Sequence, residues 1–134
     1  MVCICRKYKD LISDFMAEKD NKKSEEISFQ LIWHAGNSKS CSMEAVSAAY
    51  SGDYDTAQKK LEEAAAEMKE AHQIQTDLLH NFANGDGMGV DILMVHAQDH
   101  LNGAMMALDF AKQIITLNKK IDDLQKQVHS LEKA

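Results

Sequence analysis

The segment Val95-His96-Ala97-Gln98-Asp99-His100-Leu101 holds the residues of this chain best equipped for chemistry. His96, Asp99 and His100 stand at i, i+3 and i+4, so on a helix all three project from one face within a single turn. Two histidines and an aspartate on an otherwise apolar face carry a desolvation cost that packing alone does not require. Three readings fit them. They are polar residues that fix oligomer register, as a buried asparagine does in coiled coils. Or His-x-x-Asp-His supplies three metal ligands on one face, although the glutamate base of zinc-peptidase helices is missing. Or a neutral imidazole nitrogen attacks an electrophile while a neighbouring residue orients or stabilises it. Gln98 projects from a different face and would reach such an electrophile only across a subunit boundary.

The helix that carries this segment is expected from about Asp91 onward. Ile114, Leu117, Ile121, Leu124, Val128 and Leu131 form an a/d series, and the same register runs back through Phe110, Ala107, Gly103, His100, His96 and Leu93. About 40 residues of helix reach roughly 60 Å, longer than a compact domain of this size, so the far end of the seam has no partner within its own subunit. Self-association with the long helices running parallel is the expected resolution.

Two further main helices precede it. The first is expected to start at Ser24, a serine cap followed by Glu25 and Glu26 at the positive end of the helix dipole. Its inner stripe is Ile27, Leu31, Ala35, Ser38, Ala45 and Ala49, and Gly52 ends it in the left-handed conformation. Asp53 caps the second, whose stripe is Ala57, Leu61, Ala64, Met68, Ala71, Gln75, Leu78 and Phe82. So short a connection makes the two helices antiparallel. Residues 84–89, with three glycines, form the one real loop. Residues 1–23 read as an N-terminal extension, with Tyr8, Leu11, Ile12, Phe15 and Met16 at helical spacing. The polar run 18–23 is expected to break that short helix from the domain over 24–134.

Composition agrees with an all-α fold: there is no proline, only six glycines, and no tract rich in β-branched residues. A net charge of −6 leaves no basic face for nucleic acid. No apolar run is long enough to span a membrane, and Met1–Cys5 is too short for a signal peptide. Cys3, Cys5 and Cys41 lack CxxC spacing and read as reduced thiols of a cytoplasmic protein. His34, His72, His80 and His129 read as surface or edge residues, and Trp33 as a packing or partner-contact residue.

The string Leu93 to Leu101 resembles the signature of the lactose/cellobiose-specific enzyme IIA family of the bacterial phosphoenolpyruvate-dependent sugar phosphotransferase system. Ala35-Gly36-Asn37 with Ser40 and Met43-Glu44-Ala45 resembles its first helix. Gly52-Asp53-Tyr54 with Ala57 resembles its tight turn, and Ala71-His72 with Gln75-Thr76 its second helix. The similarity covers about three-quarters of the chain, roughly residues 25–122. Asn102-Gly103 stands where the family more often has methionine and threonine, and residues 1–23 have no counterpart.

The resemblance implies antiparallel three-helix subunits assembled as a homotrimer, a nine-helix bundle with a parallel coiled coil of C-terminal helices. It implies a phosphocarrier that takes a phosphoryl group from HPr on His96 and hands it to a cysteine of the sugar-specific IIB component, with the membrane reached only through the IIC transporter. His100 and Gln98 are the implied phosphoryl stabilisers. Asp99 would gather with its symmetry mates around one divalent cation per trimer, and an all-oxygen ring suits Mg²⁺. The alternative is a non-catalytic helical oligomerisation module with a structural metal at Asp99. Which disaccharide is served does not follow from this chain.

Overall fold

The computed structural model describes residues 3–87 and 89–133, with side chains from residue 21 onward. Three helices account for nearly all of them: α1 (Cys3–Tyr50), α2 (Tyr54–Ala83) and α3 (Ile92–Glu132). There is no strand among the described residues. α1 lies in the middle of the packing, touching α2 and α3 equally, while α2 and α3 meet over a shorter stretch.

The two chain reversals show why the helices end where they do. Gly52 takes φ +76°. Its N–H donates to the Ala49 carbonyl at 3.0 Å, and the Asp53 N–H donates to the Ala48 carbonyl at 3.0 Å. This Schellman arrangement satisfies the last carbonyls of α1. Asp53 then caps α2 by accepting from the Thr56 N–H at 3.0 Å, which holds its carboxyl below the usual carboxylate range. Gly85 repeats the arrangement at the end of α2, with φ +86° and the Asp86 N–H donating to the Asn81 carbonyl at 3.0 Å.

The core is built from small side chains. Ala35, Ala45, Ala57, Ala64, Ala71, Ala97 and Ala104 are fully buried, with Leu31 and Leu101 the largest residues that are. Ser24, Ser28, Ser38 and Ser42 are buried among them. Alanine and serine let the backbones approach closely, and a buried hydroxyl is tolerated only when it is hydrogen-bonded. Ser38 Oγ donates to the Ala64 carbonyl and Ser42 Oγ to the Ser38 carbonyl, both at 2.8 Å. Two apolar clusters result. One joins Leu31, Ala35, Ala71, Met94, Ala97, Leu101 and Ala104, and the other joins Ala45, Ala49, Ala57 and Ile115.

Three expectations are corrected. The helix does not begin at Ser24: α1 runs unbroken from Cys3. The stretch 18–23 has no glycine or proline, and a polar run only makes a solvated helix surface. Asn21 bridges this region by donating to Glu25 at 3.4 Å. Ser24 is therefore no cap but a buried contact, and its hydroxyl donates to Asp91 Oδ2 at 3.2 Å. Phe82, expected on the inner stripe of α2, is 70% exposed, because there it lies against Gly87 of the following loop and not under α3. Finally, the stripe of α3 that packs inside the subunit is Met94, Ala97, Leu101, Ala104, Leu108, Ala111 and Ile115, one position along from the expected seam. The seam itself faces outward, with Phe110, Leu117, Ile121, Leu124, Val128 and Leu131 all exposed. The expected apolar side chains of Tyr8, Leu11, Ile12, Phe15 and Met16, and the thiols of Cys3 and Cys5, lie outside the described side chains.

α3 is 41 residues long, roughly 60 Å at 1.5 Å per residue. No described residue after Ile115 is buried. Tyr54 still ties this stretch to the rest of the subunit: its hydroxyl donates to Asp122 Oδ2 at 2.5 Å and Lys119 Nζ sits 5.2 Å from its ring centre. No helix among the described residues is long and apolar enough to cross a membrane.

Candidate functional site

The site is organised by the start of α3. Asp91 caps it, accepting from the Met94 N–H at 2.7 Å, and its second carboxylate oxygen takes the Ser24 hydroxyl. One side chain thus fixes both the first turn of α3 and its seat against α1. Met94 and Ala97 then enter the core, and with the inner face anchored, the opposite face must point outward.

That outward face carries the expected residues. His96 is exposed and His100, one turn on, is half-buried. Their rings meet edge to face, with centroids 4.6 Å apart and planes at 82°. Asp99 is exposed on the same turn. The structure therefore brings His96 and His100 together and leaves Asp99 open to solvent.

Gln98 lies on another side of α3, half-buried against α2. Gln75 Nε2 donates to its Oε1 at 2.7 Å, and its own Nε2 lies 3.8 Å from Met94 Sδ. Leu78, Leu79 and Phe82 of α2, Val90 of the loop, and Met94, Val95 and Gln98 of α3 line a largely apolar groove of about 310 Å³ beside this contact. With Val95 52% and Ile92 84% exposed, the histidine pair is bordered by uncovered apolar surface, the usual centre of a protein interface.

A metal does not fit one chain alone. Among the described residues there is no group of three or more His, Cys, Asp or Glu side chains that could hold one. Asp99 is the only carboxylate between Val95 and Gly103, so a ring of carboxylates there would need several copies of the chain.

The remaining candidates lie elsewhere. His34 Nδ1 meets Glu67 Oε2 at 2.7 Å across α1 and α2, His129 sits 3.8 Å from Glu132, and His72 and His80 are exposed. Trp33 is 67% exposed, so most of its ring is not packed within the subunit. Burial pushes the Cys41 thiol up, which keeps it protonated and a poor nucleophile. Two functional contacts escape a reading of the sequence, Ser24–Asp91 and Gln75–Gln98, since each joins residues on different helices. Gln75 on an otherwise apolar stripe is the one local sign of the second.

Comparisons with known proteins bear on this geometry. The family model described as "PTS system, Lactose/Cellobiose specific IIA subunit" matches residues 26–119. The lichenan-specific phosphotransferase enzyme IIA component of Bacillus subtilis (strain 168) is 50% identical over 103 residues, covering 77% of this chain and 94% of that protein. The crystal structure of the PTS cellobiose-specific enzyme IIA from Bacillus anthracis superposes with TM-score 0.73 at 37% identity, covering 75% of this chain and 92% of that one. The IIA(chitobiose) chain, solved in solution as a complex with HPr of the Escherichia coli phosphotransferase system, gives TM-score 0.65 at 31% identity, covering 74% and 96%.

Proposed function

Because the chain belongs to the lactose/cellobiose-specific IIA family, whose members are phosphotransferase components carrying a phosphohistidine, we propose that His96 is its phosphoryl acceptor. The observation that carries this reading is the exposed His96 ring with the His100 ring 4.6 Å away, one turn along α3. A ring nitrogen of His96 attacks the phosphorus of phospho-HPr in line. The new N–P bond forms as the donor's N–P bond breaks, and its electron pair returns to the donor imidazole. His100 supplies an N–H to the phosphoryl oxygens, and Gln98 does so from a neighbouring copy. Such charge-assisted donors stabilise a centre whose charge is spread over three oxygens. In the second step a IIB cysteine thiolate attacks the phosphorus, the S–P bond forms, and the His96 ring is released.

An exposed acceptor suits this chemistry, since donor and recipient are both proteins and neither could enter a closed pocket. The solved complex of a 31% identical IIA chain with HPr favours HPr as the donor. The outward seam of α3 favours assembly as a homotrimer around a parallel coiled coil. Trimerisation would bring three Asp99 carboxylates together near the axis, where Mg²⁺ relieves their repulsion. The phosphoryl group then goes through IIB, in the cytoplasm, to a lactose/cellobiose-type disaccharide entering through IIC. A purely structural oligomerisation module would leave the His96–His100 imidazole pair without a role.

The relay is tested by labelling HPr with radioactive phosphate from phosphoenolpyruvate and enzyme I, then adding IIB with and without this chain. Label should reach the IIB cysteine only when the chain is present. Equal labelling of IIB in its absence contradicts the carrier role.

A further inference from the structure

The Gln75–Gln98 contact has a direction, and phosphoryl transfer depends on it. A glutamine side chain ends in an acceptor oxygen and a donor NH₂ of nearly equal size. A phosphoryl group is wholly acceptor, so an amide that presents its oxygen repels it while one that presents its NH₂ binds it. Left free, the Gln98 amide could rotate to either.

In the structure it is not free. Gln75 Nε2 donates to Gln98 Oε1 at 2.7 Å, which commits the oxygen to α2. The NH₂ is left beside Met94 Sδ at 3.8 Å, and sulfur is a weak acceptor that a phosphoryl oxygen displaces readily. Both glutamines are anchored by their chain neighbours, since Ala97 is fully buried and Ile74 packs on the same core cluster.

We propose that Gln75 is a positioning residue for phosphoryl transfer, fixing the polarity of the Gln98 amide so that its N–H groups are offered to a phosphoryl group on His96 of a neighbouring copy. This rests on the carrier reading above and assigns a function to a residue outside the histidine motif.

The test exploits a near-isosteric reversal. Gln75→Glu keeps the length of the side chain but can only accept, so Gln98 must donate to it and turn its oxygen to where the NH₂ stood. Gln75→Met has similar length and no polarity, and leaves the amide free to rotate. Full-length protein is phosphorylated with phosphoenolpyruvate, enzyme I and HPr. The transfer rate is followed by rapid quench, and the Gln98 side-chain amide by NMR.

In the wild type the Gln98 NH₂ resonances should move on phosphorylation. Gln75→Met should slow transfer several-fold and Gln75→Glu by about tenfold or more, the cost of losing a hydrogen bond to a charged group. The Gln75→Glu loss should persist in high salt, where repulsion by the added carboxylate is screened. The amide shift should vanish in that variant while thermal stability stays near wild type. Equal losses in the two variants, or a Gln75→Glu protein with wild-type rate and amide shift, would overturn the assignment and leave the carrier role standing. A wild-type protein that takes no phosphoryl group on His96 would overturn both.

Discussion

Replacing Asp91 with alanine removes two hydrogen bonds from one point of the fold. The Met94 N–H loses its cap at 2.7 Å, and the Ser24 hydroxyl, 3% exposed, loses its acceptor. Loss of an N-cap costs about 1 kcal/mol, and stranding a buried hydroxyl about 1 more. The expected total is about 2 kcal/mol, a fall in melting temperature of about 6 °C for a chain of this length. Asp91→Asn keeps an acceptor in place and should lose under about 0.5 kcal/mol. The assay is chemical denaturation at fixed protein concentration, because association contributes to the apparent stability of an oligomer. A double-mutant cycle with Ser24→Ala should give a coupling of about 1 kcal/mol. Hydrogen exchange should quicken at Met94 and Val95, in the turn leading to His96. An Asp91→Ala loss below about 0.5 kcal/mol, or strict additivity with Ser24→Ala, would refute the claim that this carboxylate seats α3.

Three other predictions concern α3. The hydrogen bond to Asp122 pushes the Tyr54 phenol up to about 12. A folded value above the unfolded one, about 10, means stability present below pH 10 and lost as pH rises through about 12. Wild type should lose more stability than Tyr54→Phe across that window, in thermal melts paired with tyrosinate absorbance, and equal losses would remove the linkage. Leu124, 59% exposed, should be buried only by association. On the proposed homotrimer, Leu124→Lys is expected to leave helix content intact and shift sedimentation from three chain masses toward one, whereas Asp99→Leu should keep the association and abolish the proposed dependence on Mg²⁺.

Much of this could be read from local pattern. The turn at Gly52 and Asp53 was legible because a left-handed glycine and an aspartate cap declare themselves in adjacent residues. The grouping of His96 and His100 was legible because i and i+4 on a helix leave no other arrangement. The limits were equally physical. No local signal distinguishes a polar break from a solvated helix surface, so the continuity of α1 through Ser24 had to be seen. α3 carries two apolar stripes side by side, and periodicity cannot say which one the subunit covers itself. Ser24–Asp91 and Gln75–Gln98 span 67 and 23 residues, and such pairs appear only once the helices are placed.

Whether His96 is the phosphoryl acceptor is decided by intact-mass measurement near neutral pH, after incubation with phosphoenolpyruvate, enzyme I and HPr. One added acid-labile phosphoryl group per chain is expected in the wild type and none in His96→Ala. The same gain in both proteins, or no gain in wild type from a demonstrably active donor, would contradict that role.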